Sequence, residues 1–246
     1  MGWLLSTSEP VPKNSSLINA LDIIIAPKAA FRRIRLVPAW GWAFLVATLL
    51  GIAGFLLAQP ATMHAFNATA PALYAPAVAK MPPEQQQAAL TRMVAFGRTL
   101  ASLQWIFAPI GLLFGALLSS IVMLIANAIS RGDGGFKKFY AVAITCAVVT
   151  SLGIVLNGVI SLVRGPDAYD TLQSVQTGLP SLALLAPSAG SKLSTFLATF
   201  NVTTLWATAL SAIGMTIVGN IKPPIAWTAA IVSLLVAAAL GAAFVP

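Results

Sequence analysis

The sequence predicts an all-α polytopic membrane protein, a bundle of five transmembrane helices preceded by a cytoplasmic amphipathic helix at the membrane surface. Three observations predict it. Hydrophobic residues make up 58% of the 246-residue chain and Asp, Glu, Lys and Arg only 8%, against about 25% charged residues in a soluble domain. A water-facing surface could not be covered with polar groups from that stock. Five stretches free of charged side chains are long enough to cross about 30 Å of hydrocarbon, which takes about 20 helical residues. Lys and Arg, finally, are shared unequally between the two sides that these stretches define. The net charge of +8 does not point to nucleic acid, because the basic residues lie between apolar runs too long for a soluble core. Phospholipid is the expected partner.

Residues 1–38 form an N-terminal arm and residues 39–246 the membrane domain. The opening "MGWLLSTSEP" has no basic segment before its short apolar patch, so it is a poor secretory signal. It fits the loose myristoylation pattern through Gly2 and Ser6, with the bulky Trp3 against it. Leu17, Leu21, Ile24 and Ile25 then form an apolar stripe. The stretch "APKAAFRRIRLVPAW", residues 26–40, follows. At 100° per residue, Lys28, Arg32 and Arg35 gather on one side with Arg33 beside them, and Ala30, Phe31, Ile34 and Val37 occupy the other. Pro27 suits a first helical position and Pro38 limits the far end. The spacing predicts two short helices over residues 16–37, hinged at Pro27. Such a pattern lies in the plane of the interface, where Lys28, Arg32, Arg33 and Arg35 would each contribute about 1 kcal/mol among anionic headgroups. The same basic face could instead dock a protein partner at the cytoplasmic surface.

The five spans are placed near 39–58, 104–129, 139–163, 197–218 and 224–245. Trp40 and Trp42 open the first, Trp105 the second, Tyr140 the third and Trp227 the fifth, as amphipathic rings at the headgroup level should. Trp206 lies well inside the fourth, so its indole N–H is expected to face another helix. Residues 130–138, "SRGDGGFKK", and 219–223, "GNIKP", are short and rich in Gly or Pro, which predicts antiparallel hairpins. The long segments 59–103 and 164–196 fall on the opposite side. Within the first, Pro82, Pro83 and Glu84 start a helix carrying Ala89, Met93, Phe96, Leu100 and Leu103. This helix reads equally as an amphipathic lid and as an extension of span two. "TGLPSLALLAP", residues 177–187, is too short to span, and either dips into the interface or packs on the bundle. Lys13, Lys28, Arg32, Arg33, Arg35, Arg131, Lys137, Lys138 and Lys222 lie on the side of the arm. Only Lys80, Arg92, Arg98, Arg164 and Lys192 lie on the other, so the N-terminus is expected inside and the C-terminus outside.

The spans contain no charged side chain, so the apparatus of a proton-coupled transporter is missing. Asn127, Asn157 and Asn201 are the intramembrane polar residues of interest. They read first as interhelical hydrogen-bond partners and second as ligand contacts. Gly111, Gly115 and Ser119, and Ser233, Ala237 and Gly241, recur at four-residue spacing. They are expected to let helices approach closely inside the chain, with a dimer face as the other reading. Cys146 is alone in an apolar run and reads as a small core hydrophobe. His64 has no second His and no carboxylate near it in sequence, so neither a metal site nor a catalytic dyad is expected. "RGDGG", residues 131–135, follows no strand and reads as a turn rather than a phosphate loop. Asn14, Asn67 and Asn201 each open an N-x-[ST] sequence, of which only Asn67 would be exposed on the outer side. No catalytic residue, metal or cofactor is expected, and homo-oligomerisation is left open.

The order of these pieces resembles the Yip domain family, the Ypt/Rab-interacting five-span membrane proteins, in its prokaryotic form. The likeness rests on "LDIIIAPKAAFRRIRLVPAWGW", "MPPEQQQ", "GGFKKFYAVAITCAV" and "FNVTTLWATALSAIGMTIV", and covers about residues 17–245. It implies a non-enzymatic polytopic scaffold with a cytoplasmic N-terminus, in a bacterial inner membrane. Eukaryotic members bind prenylated small GTPases through a longer arm with an acidic Gly-Pro segment; this arm has about 38 residues and is basic. The expected function is to organise lipid or protein partners at the membrane, with a transporter or channel for an uncharged or lipidic solute as the alternative.

Overall fold

A computed structural model describes residues 15–186 and 190–243. Gly2, Ser6, Lys13, Asn14, Pro187 and the end of the last expected span lie outside the described residues. Among the described residues there is no strand; Ser181 and Asn201 form an isolated antiparallel bridge. The arm folds as α1 (Ser15–Ile25) and α2 (Pro27–Leu36), hinged at Pro27 as the spacing predicts. The membrane domain then contains α3 (Gly41–Val78), α4 (Pro83–Ser102), α5 (Ala108–Ser130) and α6 (Phe136–Arg164). After a loop carrying the short α7 (Leu172–Gln176) come α8 (Ser191–Ala198), α9 (Val202–Val218) and α10 (Pro223–Ala243). This is a polytopic all-α membrane protein.

Among the described residues, four helical segments are long and apolar enough to cross a membrane: α3, α5 with its preceding 3₁₀ turn at Gln104–Phe107, α6 and α10. The fourth expected span is α9, which has 17 residues rather than the 22 placed at 197–218. Its length of about 25 Å is at the lower limit for spanning. It starts late because Asn201 caps it: Asn201 Oδ1 accepts from Thr204 N at 3.0 Å, and residues 197–200 belong to α8 and the turn after it. The expectation for Trp206 changes with that boundary. It sits near the start of α9 with 40% of its surface exposed, so it is another ring at a helix end and not a residue facing a neighbouring helix.

α6 is the central helix. Ala141 through Cys146 are buried on every side, as an all-round apolar helix should be. α3 crosses it with the two backbones in close approach. A Cβ on Gly54 would lie 2.6 Å from the Ile154 carbonyl carbon, and one on Gly158 would lie 2.5 Å from Gly54 O. Only glycine allows two backbones so close. α3 itself does not stop at residue 58 but runs on to Val78 through Pro60, Pro71 and Pro76, 38 residues in all. That is about 57 Å of helix against about 30 Å of hydrocarbon, so its second half projects beyond the membrane. α4 runs back along this projection, with Gly97 against the Phe66 ring and Arg98 Nη2 donating to Asn67 Oδ1 at 2.6 Å. α4 is therefore the partner of α3, and the 3₁₀ turn interrupts any continuous extension of span two.

At the opposite end, three segments come together. Arg35 Nη2 meets Asp133 Oδ2 at 3.0 Å, Asp133 N donates to Gly219 O at 2.9 Å, and Lys222 N donates to Ser130 Oγ at 2.9 Å. The arm, the α5–α6 turn and the α9–α10 turn thus share one face of the bundle. Arg131 and Asn220 close the two turns in the left-handed conformation, at φ 55° and 52°.

Candidate functional site

The basic and apolar faces of α2 are divided as the helical spacing predicts, but the apolar face meets protein. Ala30, Phe31 and Ile34 are fully buried in the bundle. The Phe31 ring lies 3.1 Å from where a Cβ of Gly214 would stand, and Val142 Cγ1 occupies the same space at 2.6 Å. Gly214 on α9 is therefore the seat of the arm. Three of the sequence segments that carry the family resemblance meet at this point. What remains for the membrane are flanking side chains: Leu21, Ile25 and Leu36 are exposed, close in sequence to the basic residues, which is the composition of an interfacial segment.

The four basic residues separate into two pairs. Arg33 is part-buried, donates from Nε to Asn19 Oδ1 at 2.8 Å and forms an ion pair with Asp22. Arg35 is tied to Asp133. Lys28 and Arg32 are exposed, and no hydrogen bond or ion pair engages them among the described residues. Arg33 and Arg35 therefore brace the arm, and Lys28 and Arg32 present charge. Exposed Arg131, Lys137 and Lys222 add to the same end. Sequence patterning placed all four on one helix. It could not find the bracing partners, because Asn19, Asp22 and Asp133 come from a different helix and a distant turn.

The three asparagines do not form one cluster. Asn127 is at the arm end, where its Nδ2 donates to Gly132 O at 3.3 Å and its Oδ1 accepts from Gly134 N at 3.1 Å. It shapes the α5–α6 turn. Asn201 is the cap of α9, accepting also from Thr203 Oγ1 at 2.8 Å and Thr204 Oγ1 at 3.0 Å. Asn157 Nδ2 donates to Val175 O at 2.9 Å, and its Oδ1 is buried with no partner. Asn157 and Asn201 border one cavity of about 310 Å³; Asn127 does not.

A larger cavity of about 650 Å³ adjoins it, walled by α3, α5, α6, α9 and α10; Phe55, Thr150, Ile154 and Thr204 line both. The small-residue stripes belong here. Gly111, Gly115, Ser119, Ser233 and Ala237 line the larger cavity, and a Cβ on Gly111 or Gly115 would meet nothing within 4 Å. The expected close packing is thus absent at these positions; the small side chains leave space instead. The close helix approach is instead at Gly54 and Gly158. No charged side chain lines either cavity.

His64 does acquire a carboxylate, contrary to the expectation from sequence proximity. Its Nε2 lies 3.6 Å from Asp167 Oδ1, and its Nδ1 is 3.3 Å from Tyr169 O. The Asp167 carboxylate is 98% exposed, so the pair holds a surface loop against α3 rather than forming a sheltered dyad. Among the described residues, no three His, Cys, Asp or Glu side chains gather where they could hold a metal.

A family model described as the Yip1 domain matches residues 21–245. Among characterised proteins the chain is similar to "Membrane protein YknW" of Bacillus subtilis (strain 168). The two are 26% identical over 227 residues, covering 90% of this chain and 89% of that one. No solved structure matches.

Proposed function

The chain belongs to the Yip1 domain family, and from that premise we propose that it is a non-enzymatic scaffold that gathers anionic lipid or a protein partner on its arm. The observation that carries this reading is the division of labour on α2. Arg33 and Arg35 are held by Asn19, Asp22 and Asp133, which leaves Lys28 and Arg32 as positive charges without a partner among the described residues, beside exposed Ile25 and Leu36. The braced helix already holds the backbone that carries these charges, so that part of the ordering cost is removed when they meet a negatively charged surface. In this reading residues 1–38 are a cytoplasmic arm, residues 39–246 form a five-span domain, and the C-terminus lies outside a bacterial inner membrane.

The alternative, a transporter for an uncharged or lipidic solute, draws on the two cavities. The larger one reaches no further toward the arm on α6 than Ala143, seven residues from the start of that helix, or about 10 Å. A conduit would have to open through that remaining layer.

Photo-crosslinking in native membranes tests the scaffold reading. Probes at Ile25 and Leu36, both exposed beside the basic residues, should capture anionic phospholipid or one recurrent protein. The Lys28→Gln and Arg32→Gln pair should weaken that capture about thirtyfold, from about 1 kcal/mol per charge at an anionic surface. Capture of random neighbours, insensitive to the two substitutions, would remove the basis of the proposal.

A further inference from the structure

We propose that the arm end of the bundle is a docking surface for anionic phospholipid headgroups, formed by Lys28 and Arg32 of the arm together with Arg131, Lys137, Lys138 and Lys222 of the two turns. The inference rests on the scaffold reading of the arm and commits it to one occupant.

The charge at this end does not balance within the chain. Among the described residues its carboxylates are Asp22 and Asp133, and Arg33 and Arg35 already engage both. The side chains of the six remaining cations make no hydrogen bond or ion pair among the described residues, and all but the half-buried Lys138 are exposed. The opposite end sets three carboxylates, Glu84, Asp167 and Asp170, against five cations. The first turn of α6 sharpens the contrast: it contains Lys137 and Lys138 and no acidic residue, although the dipole of a helix favours negative charge at its start. An anion supplied from outside the chain relieves both the dipole and the crowding of like charges.

The level of the surface selects a lipid over a soluble protein. Phe31 seats α2 against Val142 and Gly214. Val142 is six residues inside the start of α6, and Gly214 four residues inside the end of α9, about 9 Å and 6 Å of helix. α6 has 29 residues, about 43 Å, so about 7 Å of it extends past each side of a hydrocarbon layer of about 30 Å. The arm helix therefore lies beside the bundle at the edge of the hydrocarbon, among headgroups and not beyond them. Trp40 packs edge-on against Tyr140 at 5.4 Å, and Phe136 stacks on Tyr140 at 5.5 Å; rings of this kind belong at the same level. Leu36 is one turn from Arg32, and both are exposed, so the side of α2 turned away from the bundle pairs an apolar contact with a cation. Long cationic side chains at that depth extend their charge toward phosphate. A headgroup of net negative charge is attracted there, whereas a zwitterionic one brings a cation of its own.

The test places the full-length protein in nanodiscs with equal amounts of phosphatidylglycerol and phosphatidylcholine and measures the lipid retained on extraction. Phosphatidylglycerol should be retained at least tenfold over phosphatidylcholine. Lys28→Gln with Arg32→Gln should lower that preference at least threefold, as should Arg131→Gln with Lys137→Gln and Lys222→Gln. The five substitutions together should abolish it, and Lys80→Gln with Arg92→Gln at the opposite end should leave it unchanged. Soluble glycerol phosphate should not displace the lipid. A second measurement reads depth. With Cys146 replaced by Ala, a fluorophore on Leu36→Cys should be quenched at least threefold more by a nitroxide on a lipid headgroup than by a water-soluble nitroxide. Equal retention of the two lipids, a preference that survives all five substitutions, displacement by glycerol phosphate, or the reverse order of quenching would each overturn the inference. Should the two lipids be retained equally while crosslinking at Ile25 and Leu36 recovers one recurrent protein, the headgroup inference falls and the scaffold reading stands.

Discussion

Among single residues, the neighbours Arg32 and Arg33 have different tasks, although in sequence they look interchangeable. Replacing Arg33 by Ala removes the partner of Asp22 and of Asn19, whereas replacing Arg32 removes an unengaged charge. Protease sensitivity of the arm should rise for Arg33→Ala and stay unchanged for Arg32→Ala; the reverse order would show that the bracing contacts do not hold α2. Phe31 is the apolar counterpart. Truncation of a fully buried Phe to Ala costs about 3 to 5 kcal/mol, so Phe31→Ala should free the arm from Gly214 and lower the thermal midpoint. The helical spacing did identify which side of α2 is apolar. It did not say that the side would be covered by α6 and α9 instead of lipid, since both environments are apolar and a periodic pattern cannot distinguish them.

Among elements, the glycines show where sequence patterning succeeds and where it misleads. Gly111 and Gly115 have the four-residue spacing associated with close helix packing, yet they border open space; Gly54, four residues before Ala58, and Gly158, with no small residue at that spacing, bear the crossing of α3 and α6. Spacing locates a smooth stripe on one helix, but the ridge that fills it belongs to another helix. Two substitutions separate the cases. Gly54→Leu should drive a side chain into the Ile154 backbone and cost about 1 to 3 kcal/mol or more, visible as a lower thermal midpoint and reduced yield of folded protein. Gly111→Ala should be neutral or stabilise by about 0.5 to 1 kcal/mol, because the helix loses a flexible residue and no clash is introduced. Helix ends were legible to within a few residues wherever charge marked them, as at Ser130 and Arg164. The start of α9 was not, because an uncharged cap at Asn201 ends the apolar run without interrupting its hydropathy.

For the whole molecule, Lys and Arg distribution predicts an orientation that labelling can check. With Cys146 replaced by Ala, a cysteine at Gln87 on the projecting hairpin should react with an impermeant maleimide on intact cells. One at Lys222 should react only after permeabilisation. The opposite pattern would invert the protein and place the basic arm outside. The overall architecture was visible in composition and run lengths, and α4 in its Pro-Pro-Glu start; the continuation of α3 past residue 58 was not, since Pro60, Pro71 and Pro76 within it are residues that usually end or kink a helix. The length of α3 has a mechanical side. Pro60 stands about 29 Å along it from Gly41, close to the thickness of the hydrocarbon layer, and proline removes the hydrogen bond that would stiffen the helix there. The rod is therefore weakened near the membrane boundary, and there the loop after α6 braces it: Ala58, Ala61 and Ala65 share a buried cluster with Tyr169 and Val175, so the side chains of that loop replace the stiffness that the missing hydrogen bond would have given.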